Sequence, residues 1–277
     1  MSLKVVSTEN DERAAVEKLA DIADAIFGRA TKLDSIHLER REEAAEHVVS
    51  ETRDECYQGC IDVWKVILEM LPSASISHAR RREFEVDGYK VISRCYHRLG
   101  NLKQAQVAIT KAIDLGYKDG YISLGAILLD RKDFSGAETA FRTAIARDIQ
   151  VTRANAGLGE LYFAMGRAAL KDDSTHAEFF KKSEEHFIIA GKERFAETYE
   201  RAMELFETIG WQDRARDFGE RAVKYYNEHR AAYADRLRNI DLRLRQLTGE
   251  ERHDRLLNGV GRKLGGILSG KELDAKK

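Results

Sequence analysis

The chain has 277 residues, 43% of them hydrophobic, and a single proline, Pro72. That is apolar material for one elongated or two compact cores, and the scarcity of proline beside abundant Ala, Leu, Glu, Lys and Arg excludes a turn-rich β architecture in favour of helices throughout. With 46 basic and 47 acidic side chains the net charge is -1, so no global field favours nucleic acid or an anionic membrane.

The opening stretch MSLKVVSTENDERAAVEKL has no apolar run followed by a small-residue cleavage site. The longest apolar run, YISLGAILL, is about nine residues, well short of the roughly 20 that span a bilayer. A cytoplasmic location is expected. A first helix is predicted over about residues 11–30. From Ser35 to Leu71 no breaker interrupts the pattern except Gly59, which predicts a long second helix. Cys60, Trp64, Ile67 and Pro72 within and after it are spaced like the second helix of a hairpin and its closing proline. Residues 1–85 are therefore read as a region of long helices containing a degenerate repeat, with a further helix from Ser77 to Gly100.

Cys56 and Cys60 share a helix face at i,i+4. They could hold a soft metal, but no further His or Cys lies at zinc-ligand spacing. With Cys95 they are expected to be reduced thiols acting as small buried side chains; no metal and no cofactor is expected.

Beyond residue 86 the chain repeats itself. Ala105, Ile109 and Ala112 recur as Ala137, Phe141 and Ala144, then Ser183, Phe187 and Ala190, then Ala215, Gly219 and Ala222, at offsets of 32, 46 and 32 residues. Each set follows a second helical pattern: Tyr89, Ile92 and Tyr96; Tyr121, Leu124, Gly125 and Leu128; Leu158, Gly159 and Tyr162; Tyr199, Ala202 and Phe206. On these residues, and on LGELYFAMG in particular, the chain resembles the tetratricopeptide repeat (TPR) family over residues 86–230. The joints after Ala112 and Ala190 are short by about two residues, and AIDLGYKDGYISLGAILL is also similar to the related Sel1-like repeats.

The resemblance implies an all-α, TPR-like helical-hairpin solenoid in which Gly159 admits a neighbouring helix and Tyr162 fills the space beside it. Between Gly166 and Ser183 there are about twelve residues more than the family pattern. This insertion, about 167–182, predicts two lengthened helices with a turn at Asp172-Asp173-Ser174. Phe179 and Phe180 lie on it, one expected between the helices and either one a candidate partner contact.

Residues 231–277 complete the chain. Tyr226, Arg230, Tyr233, Leu237, Ile240, Leu244 and Leu247 form a seam that predicts a C-terminal capping helix or, alternatively, a homodimer through 226–247. Leu256, Val260, Leu264 and Ile267 then share a face interrupted by five glycines between 259 and 270, a cost of about 4 to 5 kcal/mol for a free helix. This segment would be ordered only when docked, and a membrane surface met through 253–270 is one candidate.

No catalytic motif occurs, and the eight histidines are scattered, so an enzyme is not expected. The resemblance implies a protein–protein interaction adaptor or scaffold that holds a partner segment in a groove. A peripheral membrane or assembly-anchoring protein is the alternative. Nucleic acid is disfavoured: residues 236–277 hold 11 basic and 6 acidic side chains but no aromatic residues for stacking. In TPR domains that clamp acidic C-terminal peptides, the corresponding positions here are Lys90, Arg94, Ser123, Arg153 and Gly157. Lys90, Arg94 and Arg153 would favour an acidic segment.

Overall fold

A computed structural model of the chain describes residues 9–39, 43–74, 76–170, 176–192, 197–228 and 230–248. Among them there are eleven helices and no strand: α1 (Glu9–Glu39), α2 (Glu43–Met70), α3 (His78–Arg98), α4 (Leu102–Asp114), α5 (Gly120–Asp130), α6 (Phe134–Ala146), α7 (Val151–Ala169), α8 (His176–Lys192), α9 (Glu197–Thr208), α10 (Gln212–Glu228) and α11 (Arg230–Thr248). The chain divides into two compact units, Met1–Gly157 and Leu158–Lys277, so the boundary falls inside α7. The glycine-rich C-terminal segment, with the membrane contact expected over 253–270, and the turn at Asp172-Asp173-Ser174 lie outside the described residues. No described helix is long and apolar enough to cross a membrane.

In the first unit α1 is longer than its periodicity suggests, with 31 residues. The residues from Ser35 to Glu39 belong to it rather than to α2. The reason is packing: α1 pairs with α2, and Val16, Ala23 and Ala30 share one core with Tyr57, Ile61, Trp64 and Ile67. Two apolar stripes on neighbouring stretches of one chain can meet only if the chain reverses between them. Ser77 caps α3 by accepting a hydrogen bond from the Arg80 amide at 3.2 Å.

The hairpins α3–α4 and α5–α6 follow. Ala105, Ile109 and Ala112 are fully buried with Ile127, against Tyr89, Tyr96 and Leu124. Phe141 of α6 is 2% exposed, and its ring meets both Gly125 of α5, where an added Cβ would lie 2.5 Å away, and Gly157 of α7. A buried serine also bonds across the α3–α4 hairpin: Ser93 Oγ donates to the Ala105 carbonyl at 2.8 Å.

The second unit repeats this chemistry. An added Cβ on Gly159 would meet the Phe187 ring at 2.6 Å, and Ser183 Oγ donates to the Gly159 carbonyl at 2.8 Å. Buried Leu158 and Tyr162 flank that contact. Helices α7 and α8 run to 19 and 17 residues, against 11 and 13 for α5 and α6, so the insertion lengthens both partners of the hairpin. Helix α11 closes the core made by α9 and α10: Ile240 and Leu244 are each 2% exposed, and Leu237 and Leu247 pack on the same cluster. Arg236 pairs with Glu197 at 3.0 Å and Arg243 with Glu204 at 3.1 Å. Of the seam expected either to cap or to dimerise, Tyr226, Leu237, Ile240, Leu244 and Leu247 pack in the core of the second unit.

Candidate partner-binding site

Tyr89, Ile92 and Tyr96 follow one another by three and four residues and so share a face of α3. They floor a groove of about 520 Å³. One wall is α2, with Lys65, Leu68 and Glu69; the other is α4, with Lys103, Gln104, Val107, Ala108 and Lys111. Lys103, Val107 and Lys111 recur every four residues and form a ridge beside the buried alanine stripe of the same helix.

Lys111 Nζ lies 5.0 Å from the centre of the Tyr89 ring and Lys65 Nζ 5.9 Å from that of Tyr96, so the lysine stems lie along the aromatic floor while their charges face water. Among the described residues no carboxylate pairs with Lys65, Lys103 or Lys111. Val107 is 58% exposed. The groove therefore offers apolar surface with cations at its rim.

A second pocket, of about 290 Å³, opens between α1 and α3 and has the opposite character. Glu17, Asp21 and Asp24 come from α1, Glu83 and Asp87 from α3. Lys90 lies here, its ammonium on Asp87 at 2.5 Å and 5.8 Å from the Tyr117 ring. Arg94 stacks on Phe27 at 4.6 Å. Arg153 is exposed and donates to the Gln150 side chain at 3.0 Å. Ser123 is half-buried, and Gly157 is occupied with the Phe141 ring.

Each cation of the expected clamp has a contact within the chain. Lys90 answers carboxylates of its own chain, which would repel an acidic peptide, and Arg94 binds α3 to α1. Phe180, expected as a possible partner contact, is 1% exposed. Its ring lies 4.6 Å from Trp211 and 5.4 Å from Phe163, so it belongs to the core of the second unit. Phe179 is half-buried with Lys182 Nζ 6.0 Å from its ring.

Cys60 and Cys95 are fully buried and Cys56 partly so. Cys60 Sγ donates to the Ala23 carbonyl at 3.5 Å. The hydrogen bond that the Cys95 thiol donates to Cys60, and then burial, push Cys95 well above its ordinary value, which keeps it protonated and unreactive. No group of three or more His, Cys, Asp or Glu side chains suited to a metal ion occurs among the described residues.

A family model of the tetratricopeptide repeat matches residues 87–115, which is α3 from its third turn, α4 and the turn between them. No curated protein matches the chain. Among solved structures the chain is similar to YrrB, described as a TPR protein with an unusual peptide-binding site, at 15% identity, covering 83% of this chain and 100% of that one with a TM-score of 0.37.

Proposed function

We propose that the chain is a non-catalytic protein–protein interaction adaptor that holds a segment of a partner polypeptide against its helical hairpins. One observation carries this reading: the hairpin α3–α4, the stretch matched by the tetratricopeptide repeat model, is also the hairpin that lines the open groove of about 520 Å³. A repeat hairpin whose structural stripe is buried leaves its remaining faces free to vary, and partners are met there. The further expectation of short, Sel1-like joints is compatible with hairpins that recur at 32 residues.

Affinity capture with the full chain under chemical cross-linking, followed by titration calorimetry of the purified partner, tests the reading. A partner cross-linked to α2, α3 or α4 and bound in a saturable 1:1 fashion is the expected result. A purified chain that turns over a substrate with no partner present would overturn it.

A further inference from the structure

The groove between α2 and α4 has a definite chemistry, and the reading above leaves its occupant open. We propose that it seats a short acidic and apolar segment of a partner protein, with apolar side chains on Tyr89, Ile92, Tyr96 and Val107 and carboxylates against Lys65, Lys103 and Lys111. The proposal rests on the interaction-adaptor reading and goes beyond it in naming the site and the class of ligand.

Four observations lead to it. At about 520 Å³ the groove accepts a few side chains of a docked segment, within the roughly 300–1,000 Å³ range of small binding pockets. The floor is aromatic and aliphatic, while Val107 on the α4 ridge stands 58% exposed; apolar surface that borders a cavity gains most from an apolar side chain laid over it.

The charges select the sign. The three lysines of the walls have no carboxylate partner among the described residues, whereas neighbouring cations do: Arg80 meets Glu83 at 2.8 Å and Lys90 meets Asp87. Among the described residues, Glu69 is the one acid lining the groove. An acidic segment therefore completes ion pairs that the chain itself does not make, and it does so beside a low-dielectric aromatic floor where they are less screened.

Charge also argues against the chain's own C-terminal segment as occupant. Residues 236–277 carry 11 basic and 6 acidic side chains, the same sign as the rim. The acidic pocket between α1 and α3 adds discrimination, because it would attract a basic segment away from the groove.

Random-peptide display on the immobilised full-length chain, with fluorescence anisotropy on the enriched peptides made as synthetic probes, decides the matter. Enriched sequences are expected to combine Leu, Ile, Phe or Met with Asp or Glu. Their affinity should fall about tenfold or more in Val107→Glu and in a Lys65→Glu, Lys103→Glu, Lys111→Glu variant, and should weaken as salt is raised. Lys103→Met, which keeps the stem and removes the charge, should lose the salt dependence in part while keeping apolar contact.

Circular dichroism checks that the variants, all at exposed or rim positions, remain folded. Enrichment of basic peptides, of purely acidic ones without apolar residues, or of none would overturn the proposal. So would sedimentation showing a self-association that Val107→Glu abolishes, which gives the groove to a second copy. If enriched peptides bind the variants as well as the parent chain, the groove is excluded while the adaptor reading stands; if a cross-linked partner is also absent, both fall.

Discussion

At the scale of single residues, the ends of four successive helices follow one rule. Gly100, Gly116, Lys132 and Asp148 all have positive φ, of 73°, 99°, 62° and 56°, and stand sixteen residues apart. Each donates its amide to the carbonyl three residues back, and the next residue donates to the carbonyl five back: Gly100 to His97 and Asn101 to Tyr96, through to Asp148 to Ile145 and Ile149 to Ala144. This is the Schellman closure of a helix. Two of the four positions carry a side chain where glycine is strain-free. Lys132→Gly and Asp148→Gly are therefore expected to raise the unfolding free energy by about 0.5 to 1 kcal/mol each, and Gly116→Ala to lower it by about 1 kcal/mol, in urea titration. The two glycines were readable as turn signals in the sequence. Lys132 and Asp148 were not, because their conformation is imposed by the hydrogen bonds and by the packing of the helices they join.

Tyr226 offers a residue-scale prediction in pH. It is fully buried, its hydroxyl donates to Glu200, and Arg236 Nη1 approaches that hydroxyl at 3.5 Å. Burial, then the hydrogen bond to Glu200, raise its pKa above the ordinary tyrosine value; burial raises that of Tyr199 as well. A folded-state pKa above the unfolded one stabilises the fold below the unfolded value, about 10, and this stabilisation is lost as pH rises toward the folded value. Thermal unfolding followed by tryptophan fluorescence should show a decline in stability above about pH 10 that is shallower in Tyr226→Phe.

At the scale of elements, helix contacts are set by rings seated on glycines. The Phe141 ring meets both Gly125 and Gly157 and is 2% exposed, so it has little room to move aside for an added methyl. Gly125→Ala should destabilise the chain by about 1 to 3 kcal/mol, and by less in a Phe141→Leu background, where the ring is gone. A double-mutant cycle in urea measures that coupling. Gly159→Leu should cost a similar amount against Phe187, and an unchanged melting temperature would contradict the register.

The sequence displayed these contacts through its repeated small and aromatic positions, and it displayed the lengthening of α7 and α8 through the residue count. It hid the end of α1. The stretch LERREEAAEH is rich in charged, helix-favouring residues and holds neither Gly nor Pro, so no local signal marks the break between α1 and α2, which their pairing requires. The choice between cap and dimer for α11 was equally beyond local reading, since both need the same stripe. Leu244, whose Cδ2 would lie 2.7 Å from a Cβ on Gly219, makes the capping contact. Leu244→Asp should lower the stability of the second unit by several kcal/mol, about 3 or more.

At the scale of the whole molecule, apolar burial is local. Consecutive helices form the principal contacts, and each unit holds its own core clusters. Stability in such an arrangement is approximately a sum over neighbours, which leaves long stretches of helix surface outside the core and available to a partner. The candidate site was legible only in part. Its floor, Tyr89, Ile92 and Tyr96, stood out in the sequence as a structural stripe, and the ridge of Lys103, Val107 and Lys111 could have been found from its four-residue spacing. What the sequence could not supply was the approach of α2 to α4 across that floor. The sequence equally did not display the partners of Lys90, Arg94 and Arg153: Arg94 meets Phe27 of α1, which lies outside the repeat pattern, while Lys90 meets Asp87 and Arg153 meets Gln150, each three residues away.

The central claim is that the matched hairpin and its groove form the face on which a partner segment is held. Hydrogen–deuterium exchange of the full chain, with and without the captured partner, tests it most directly. Slower exchange is predicted over Lys65–Glu69, Tyr89–Tyr96 and Lys103–Lys111, with little change in α9, α10 and α11. Protection confined to other helices, with these three stretches unaltered by a saturating partner, would contradict the account.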